Sequence, residues 1–195
     1  MQLVFASSNA HKIKEIAAQL VHTNIQLIGL QDIGFEGDIP ETQPTIEGNA
    51  QQKVRYITDR YALNCFAEDT GLIVAALNGE PGVHTARYAG ESRDPAANMN
   101  LVMQKLEGAN TRRAYFKTVI ALVWNEQEYF FEGICNGLII KELRGTGGFG
   151  YDPIFIPDGY DKTFAELPSE VKNLISHRGI ATQKLINFFS DKQLK

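Results

Sequence analysis

Short apolar runs and helical stripes alternate along this chain. Leu3 to Ala6 is apolar and too short for a helix. Lys12 to Val21 carries Ile13, Ile16, Ala17 and Leu20, the i, i+3, i+4, i+7 spacing of an amphipathic helix. Between them, Ser7, Ser8 and Asn9 supply turn and N-cap chemistry. A second strand is predicted over Ile25 to Leu30, followed by a loop rich in Gly, Pro and acids from Gly34 to Pro44. Helical spacing returns from Thr45 to Ala62 through Ile46, Ala50, Val54, Ile57 and Tyr61. Cys65 to Ala67 and Leu72 to Leu77 read as two strands separated by Glu68-Asp69-Thr70-Gly71.

Asp94-Pro95 opens a helix with proline at its first position, running to about Leu106 and stopping at Gly108. The β-rich runs Arg113 to Trp124 and Glu128 to Ile140 flank Asn125-Glu126-Gln127, which predicts an antiparallel hairpin. A glycine-rich turn spans Gly145 to Gly150, and two last helices follow, one from Ser169 and one from Arg178 to about Phe189. No repeat, low-complexity tract or long linker interrupts the alternation. The pattern predicts an α/β protein with a mixed sheet and flanking helices.

Composition narrows the function classes. At 195 residues the chain fits one domain, or one with a modest lobe, and 44% hydrophobic with 22% charged residues excludes intrinsic disorder. The net charge of −4 leaves no basic excess to make nucleic-acid binding the main function. A small anionic ligand stays open, because a pocket can concentrate a few cations on an acidic protein. Cys65 and Cys135 sit in apolar, strand-like runs and read as reduced core residues. No apolar run reaches the ~18–20 residues of a membrane span, and the start of the chain lacks the length and charge of a secretory signal. The expectation is a soluble, cytoplasmic protein with no membrane partner.

Four constellations could carry chemistry. Ser7-Ser8-Asn9-Ala10-His11-Lys12 joins a strand to a helix N-terminus, whose unpaired N–H groups suit phosphate; an ordinary N-cap with a solvated lysine is the alternative. Glu41 in the first loop, with Glu68 and Asp69 at a strand end, offers hard oxygens for Mg²⁺, or else these are plain turn acids. Gly145 to Gly150 formally satisfies G-x-G-x-x-G, but Tyr151-Asp152-Pro153 follows instead of a helix, so a dinucleotide fingerprint is rejected. What remains there is a tight turn, with Phe149 and Tyr151 as an aromatic shelf for a base or as core. Lys172 and His177-Arg178 place three potential cations at a helix junction, for a phosphate or purine edge or as a solvated helix end. No Ser-His-Asp or Cys-His signature suggests a covalent nucleophile.

In this order the motifs resemble one family. Ser7–Lys12, Glu68-Asp69-Thr70-Gly71-Leu72, Pro81 to Gly90, Gly145 to Pro153 and Ser176-His177-Arg178-Gly179 together look like the inosine triphosphate pyrophosphatase, or Ham1-like, family. The resemblance runs from residue 3 to about 190. It implies a two-lobed Ham1/Maf-like fold, an elongated mixed β-sheet flanked by helices, as a single domain over residues 1–195. It also implies hydrolysis of ITP, dITP and XTP to the monophosphate and pyrophosphate, a requirement for Mg²⁺, and a homodimer.

Residue by residue, the resemblance implies that Ser7, Ser8, Asn9, Ala10, His11 and Lys12 grip the triphosphate. Glu41, Glu68 and Asp69 match the metal-associated acids, with Asp69 also the general base and Thr70 a substrate contact. Lys53 matches a ligand-contacting lysine. Phe149, Gly150, Tyr151, Asp152, Lys172, His177 and Arg178 match base-side contacts. Three departures stand out: Ser8 where glycine is usual, Thr70 where serine is common, and Glu68 where aspartate is frequent. Two further functions are weighed beside this one: a related house-cleaning enzyme preferring another modified or pyrimidine triphosphate, and a nucleotide- or RNA-binding module without catalysis.

Overall fold

Strand β1 (Gln2–Phe5) buries Leu3, Val4 and Phe5 and ends where Ser7-Ser8-Asn9 turns the chain into helix α1 (Ala10–Leu20). The computed structural model describes residues 1–193, and the chain divides into two compact units. The first holds Met1–Asp69, Thr118–Gly133 and the chain from His177 onward; the second holds Thr70–Lys117 and Ile134–Ser176.

In the first unit, β1 lies between two parallel neighbours, β2 (Gln26–Ile28) and β3 (Cys65–Val74), with Leu3 opposite Leu27 and Val4 opposite Cys65. β5 (Arg113–Trp124) and β6 (Gln127–Ile139) follow in the strand order β2-β1-β3-β5-β6. Their connection is a two-residue hairpin in which Asn125 and Glu126 both take positive φ, the geometry whose twist matches the flanking strands. Helix α2 (Ile46–Tyr61) is capped by Thr45, whose hydroxyl accepts from Gly48 N–H. Helix α5 (His177–Gln193) contributes Ala181, Leu185 and Phe189 to a core with Leu3, Phe5 and Phe66. Phe5 and Phe66 stack at 4.5 Å between ring centroids.

The second unit contains the end of β3, the short antiparallel strand β4 (Pro81–Gly82), the start of β5 and the end of β6. β7 (Phe155–Pro157) runs antiparallel to β6. Helix α3 (Pro95–Lys105) begins as expected, with the Asp94 carboxylate accepting from Ala96 N–H and proline at the first helical turn. Helix α4 (Ser169–Ile175) is the last element. Leu72, Val102, Leu106, Phe116, Phe155 and Phe164 form this unit's core.

The mixed α/β sheet with flanking helices is as the pattern predicts, with two corrections. The second strand is only Gln26–Ile28. More consequentially, Cys65–Val74 is one unbroken strand, so Glu68-Asp69-Thr70-Gly71 is not an interruption. Both acids stay inside the strand because cations meet them there. The two cysteines are buried, and burial raises both thiols, Cys135 to about 12. No described helix is long and apolar enough to cross a membrane.

Candidate active site

Successive residues of an extended strand point to opposite faces, and β3 uses this to give its neighbouring acids different partners. Glu68 is fully buried and gripped at two points by Arg178, Nε to Oε2 at 2.9 Å and Nη2 to Oε1 at 3.0 Å. Lys12 Nζ reaches the same Oε1 at 2.9 Å. The third nitrogen of the guanidinium, Nη1, donates to Glu15 on α1 at 2.7 Å. Burial alone would raise the Glu68 carboxyl; the Arg178 and Lys12 charges reverse that and hold it well below the usual carboxylate range.

Asp69 turns toward α2. Lys53 Nζ donates to its Oδ1 at 3.0 Å, and Asn49 Nδ2 donates to Oδ2 at 3.3 Å. The same ammonium donates to Glu41 Oε1 at 2.6 Å, so a single cation stands between the two carboxylates. Burial raises Asp69 above the ordinary aspartate value despite Lys53 and Lys12, and the Glu41 charge adds to the rise. For Lys53, burial pulls the other way and is outweighed by Asp69 and Glu41, so its proton is held more tightly than usual.

Two carboxylates set close to one position are the donor set a Mg²⁺-like ion uses when water and substrate oxygens complete its shell. Glu41 and Asp69 fit that role. The carboxylate of Glu68 is committed to Arg178 and Lys12. Among the described residues, no three His, Cys, Asp or Glu side chains converge as a ready-made ion cage.

The turn before α1 is a genuine N-cap. Asn9 Oδ1 accepts from His11 N–H at 3.0 Å and Lys12 N–H at 3.2 Å, and Ser7 Oγ accepts from Asn9 N–H at 3.2 Å. Lys12 is not a solvated lysine, since its ammonium meets Glu68. Ser8, Asn9, Ala10 and His11 are exposed. Ser8, where the resemblance expects glycine, lies outside the left-handed region and sits there without backbone strain.

In the second unit the glycine run folds back on Asp152. Phe149 N–H donates to Asp152 Oδ2 at 2.8 Å, and the buried ammonium of Lys172 donates to the same oxygen. That ammonium also stands 5.1 Å from the centroid of the Phe149 ring. Gly148 is required here: at φ +69° a Cβ would come within 2.0 Å of Asp152 Oδ2. Gly150 follows with φ 62°, and Asp152–Ile154 is a single 3₁₀ turn rather than an α-helix, in keeping with the rejection of a dinucleotide fingerprint. Tyr151 is buried and its hydroxyl donates to Thr85 O at 2.9 Å, which ties the Pro81 to Gly90 segment to this turn. Thr70 follows Asp69 on β3 and is half-buried.

The three residues grouped at the helix junction take up different local partners. Lys172 belongs to the second unit with Asp152, whereas His177 and Arg178 begin α5 in the first. His177 and Arg178 are both buried. Sequence reasoning missed Asn49, Glu15 and Gly133. Asn49 was detectable as the residue one helical turn before Lys53. Gly133, a glycine inside a strand pattern, marks a close backbone approach: a Cβ there would lie 1.9 Å from His177 O.

Fold and site together define an α/β protein with acids buried in a central strand and one shared cation between a strand and a loop carboxylate. The chain belongs to the Ham1 family, whose sequence model matches residues 3–188. It is 53% identical over 190 residues to a dITP/XTP pyrophosphatase of Flavobacterium johnsoniae, covering 97% of this chain and 98% of that protein. A dITP/XTP pyrophosphatase of Flavobacterium psychrophilum is 52% identical over 191 residues, covering 98% and 100%. Among solved structures, the Staphylococcus aureus Ham1 protein superposes with a TM-score of 0.90 at 37% identity, covering 98% of this chain and 100% of that one.

Proposed function

We propose that this protein hydrolyses deaminated purine nucleoside triphosphates to the monophosphate and pyrophosphate, with Mg²⁺ as its metal. The observation that carries this reading is the pair Glu41 and Asp69 set around the Lys53 ammonium, in a chain so similar to dITP/XTP pyrophosphatases along its whole length. When bound, Mg²⁺ neutralises charge on the phosphate oxygens and lowers the cost of the attacking water's deprotonation.

The chain's own residues supply the rest. Asp69 is the general base, accepting a proton from the water as its oxygen bonds to the α-phosphorus and the bond to the bridging oxygen breaks. Lys53 donates to that carboxylate and holds its charge in place. The dipole of α1 at the exposed turn Ser7–Lys12, with the lysines, favours the negative triphosphate. Thr70 adds a hydroxyl beside the base. Phe149 offers a ring face to the purine, with Gly150, Tyr151, Asp152 and Lys172 as its neighbours and His177 and Arg178 as further base-side contacts.

Purine selection follows from hydrogen bonding. Donors aimed at a 6-oxo group face the amino group of adenine donor to donor, and each donor left unpaired costs ~1–3 kcal/mol, or about 5- to 150-fold. A homodimer, a single domain over residues 1–195 and a cytoplasmic location complete the reading. Pyrophosphate release from ITP with Mg²⁺ tests it: Asp69→Asn is expected to lose about 10²- to 10⁴-fold in kcat. Turnover by D69N at the wild-type rate contradicts the role of Asp69.

A further inference from the structure

Helix α2 makes more contacts with the Glu41 loop than Lys53 alone. Asn49 Oδ1 accepts from Gln43 N–H at 2.9 Å while Nδ2 of the same amide donates to Asp69 at 3.3 Å. One turn further along, Gln52 exchanges two hydrogen bonds with Thr42: it accepts from Thr42 N–H and donates to Thr42 Oγ1, both at 2.9 Å. The backbone of α2 comes equally close, since a Cβ on Gly48 would lie 2.9 Å from Gln43 Cβ. All these residues belong to the first unit.

Asn49 is 3% exposed, and its amide has one orientation that satisfies both ends. Its oxygen must face a backbone N–H and its nitrogen must face a carboxylate, which accepts only. A side chain so placed joins the loop that carries Glu41 to the strand that carries Asp69. We propose that Asn49 is a positioning residue for the reaction, presetting the separation of Glu41 and Asp69 so that both carboxylates meet one cation. Gln52 fastens the neighbouring loop residue to the same helix. This rests on the assignment of Asp69 and Glu41 in the proposed function. Groups that orient metal-binding and proton-accepting side chains in this way are worth about 10- to 100-fold in metal affinity or activity.

Two substitutions at Asn49 test it. Asn49→Asp keeps the volume and the acceptor for Gln43 N–H but replaces the donor to Asp69 with an oxygen; Asn49→Leu removes both bonds. For each, kcat and KM for ITP are measured across a Mg²⁺ titration, and Mg²⁺ binding without nucleotide is followed by calorimetry. N49D is expected to lose about 10- to 100-fold in kcat, with KM for ITP moving less than kcat. In N49L the half-activating Mg²⁺ concentration and the calorimetric Kd rise about tenfold as well. Gln52→Leu raises the same two metal constants without acting on Asp69.

If N49L fails to fold, N49D decides. Kinetic and metal constants within about twofold of wild type in the folded variant overturn the assignment, as does a loss of thermal stability that moves none of them. D69N measured alongside separates the two failures. Inactive D69N with fully active N49D removes only the role of Asn49, while active D69N removes the reading of the site together with it.

Discussion

Arg178 holds Glu68 by two parallel hydrogen bonds, 2.9 and 3.0 Å long, with both side chains buried. The two residues are 110 positions apart, and the pair fixes the start of α5 to the middle of β3. Breaking a buried pair at one end costs about 3–5 kcal/mol because the charge left behind stays in the protein. Glu68→Gln and Arg178→Met are each expected to lose that much in urea unfolding. The double variant is expected to be more stable than the two losses summed, and strict additivity would show that the pair is not coupled.

Acid acts on the same pair. The folded carboxyl of Glu68 lies below its unfolded value, so its contribution is fully present above the unfolded pKa of ~4.3 and is lost as pH falls below that toward the folded value. Unfolding free energy measured from neutral pH downward is therefore expected to fall more steeply in the wild type than in E68Q below about pH 4.5. Parallel curves would remove Glu68 as a source of acid sensitivity.

Gly133 and Gly150 distinguish a close approach from a backbone conformation. Gly133→Ala drives a methyl toward His177 O at 1.9 Å and Ala181 N at 2.7 Å, both backbone atoms of α5. The expected loss is at least the ~1–3 kcal/mol of overpacking, measured by urea unfolding, because backbone cannot rotate away. Gly150→Ala meets nothing within 4 Å, so only its φ of +62° opposes it, worth about 1–2 kcal/mol.

Lys53 keeps two carboxylates together, and its loss exposes their repulsion to whatever cation is added. Lys53→Met is expected to unfold at lower temperature than wild type without Mg²⁺ and to gain more from Mg²⁺ than wild type does, by mass action on the folded state. A thermal shift series over Mg²⁺ concentration reads this directly. Equal gains in the two proteins would show that the ammonium and the metal do not share the site.

Local chemistry was legible in the chain because it is written over a few residues. Asn9 and Asp94 each cap the helix that follows, and the hairpin turns at Asn125-Glu126. The acid-and-glycine run from Glu68 to Gly71 misled for a physical reason. Charges inside a strand are costly without partners, and the partners Lys12, Lys53 and Arg178 come from three different helices. The candidate acids were likewise found as types, but their division of labour was not. Only the fold gives Glu68 to Arg178 and Asp69 to a lysine shared with Glu41.

Pyrophosphate release from ITP, XTP, GTP, ATP and dUTP, each with Mg²⁺ and again with EDTA, tests the proposed reaction, substrate class and metal together. ITP or XTP is expected to lead in kcat/KM, and EDTA to abolish release. Leading turnover of ATP or dUTP would contradict the substrate assignment, and turnover undiminished by EDTA would contradict a metal at Glu41 and Asp69.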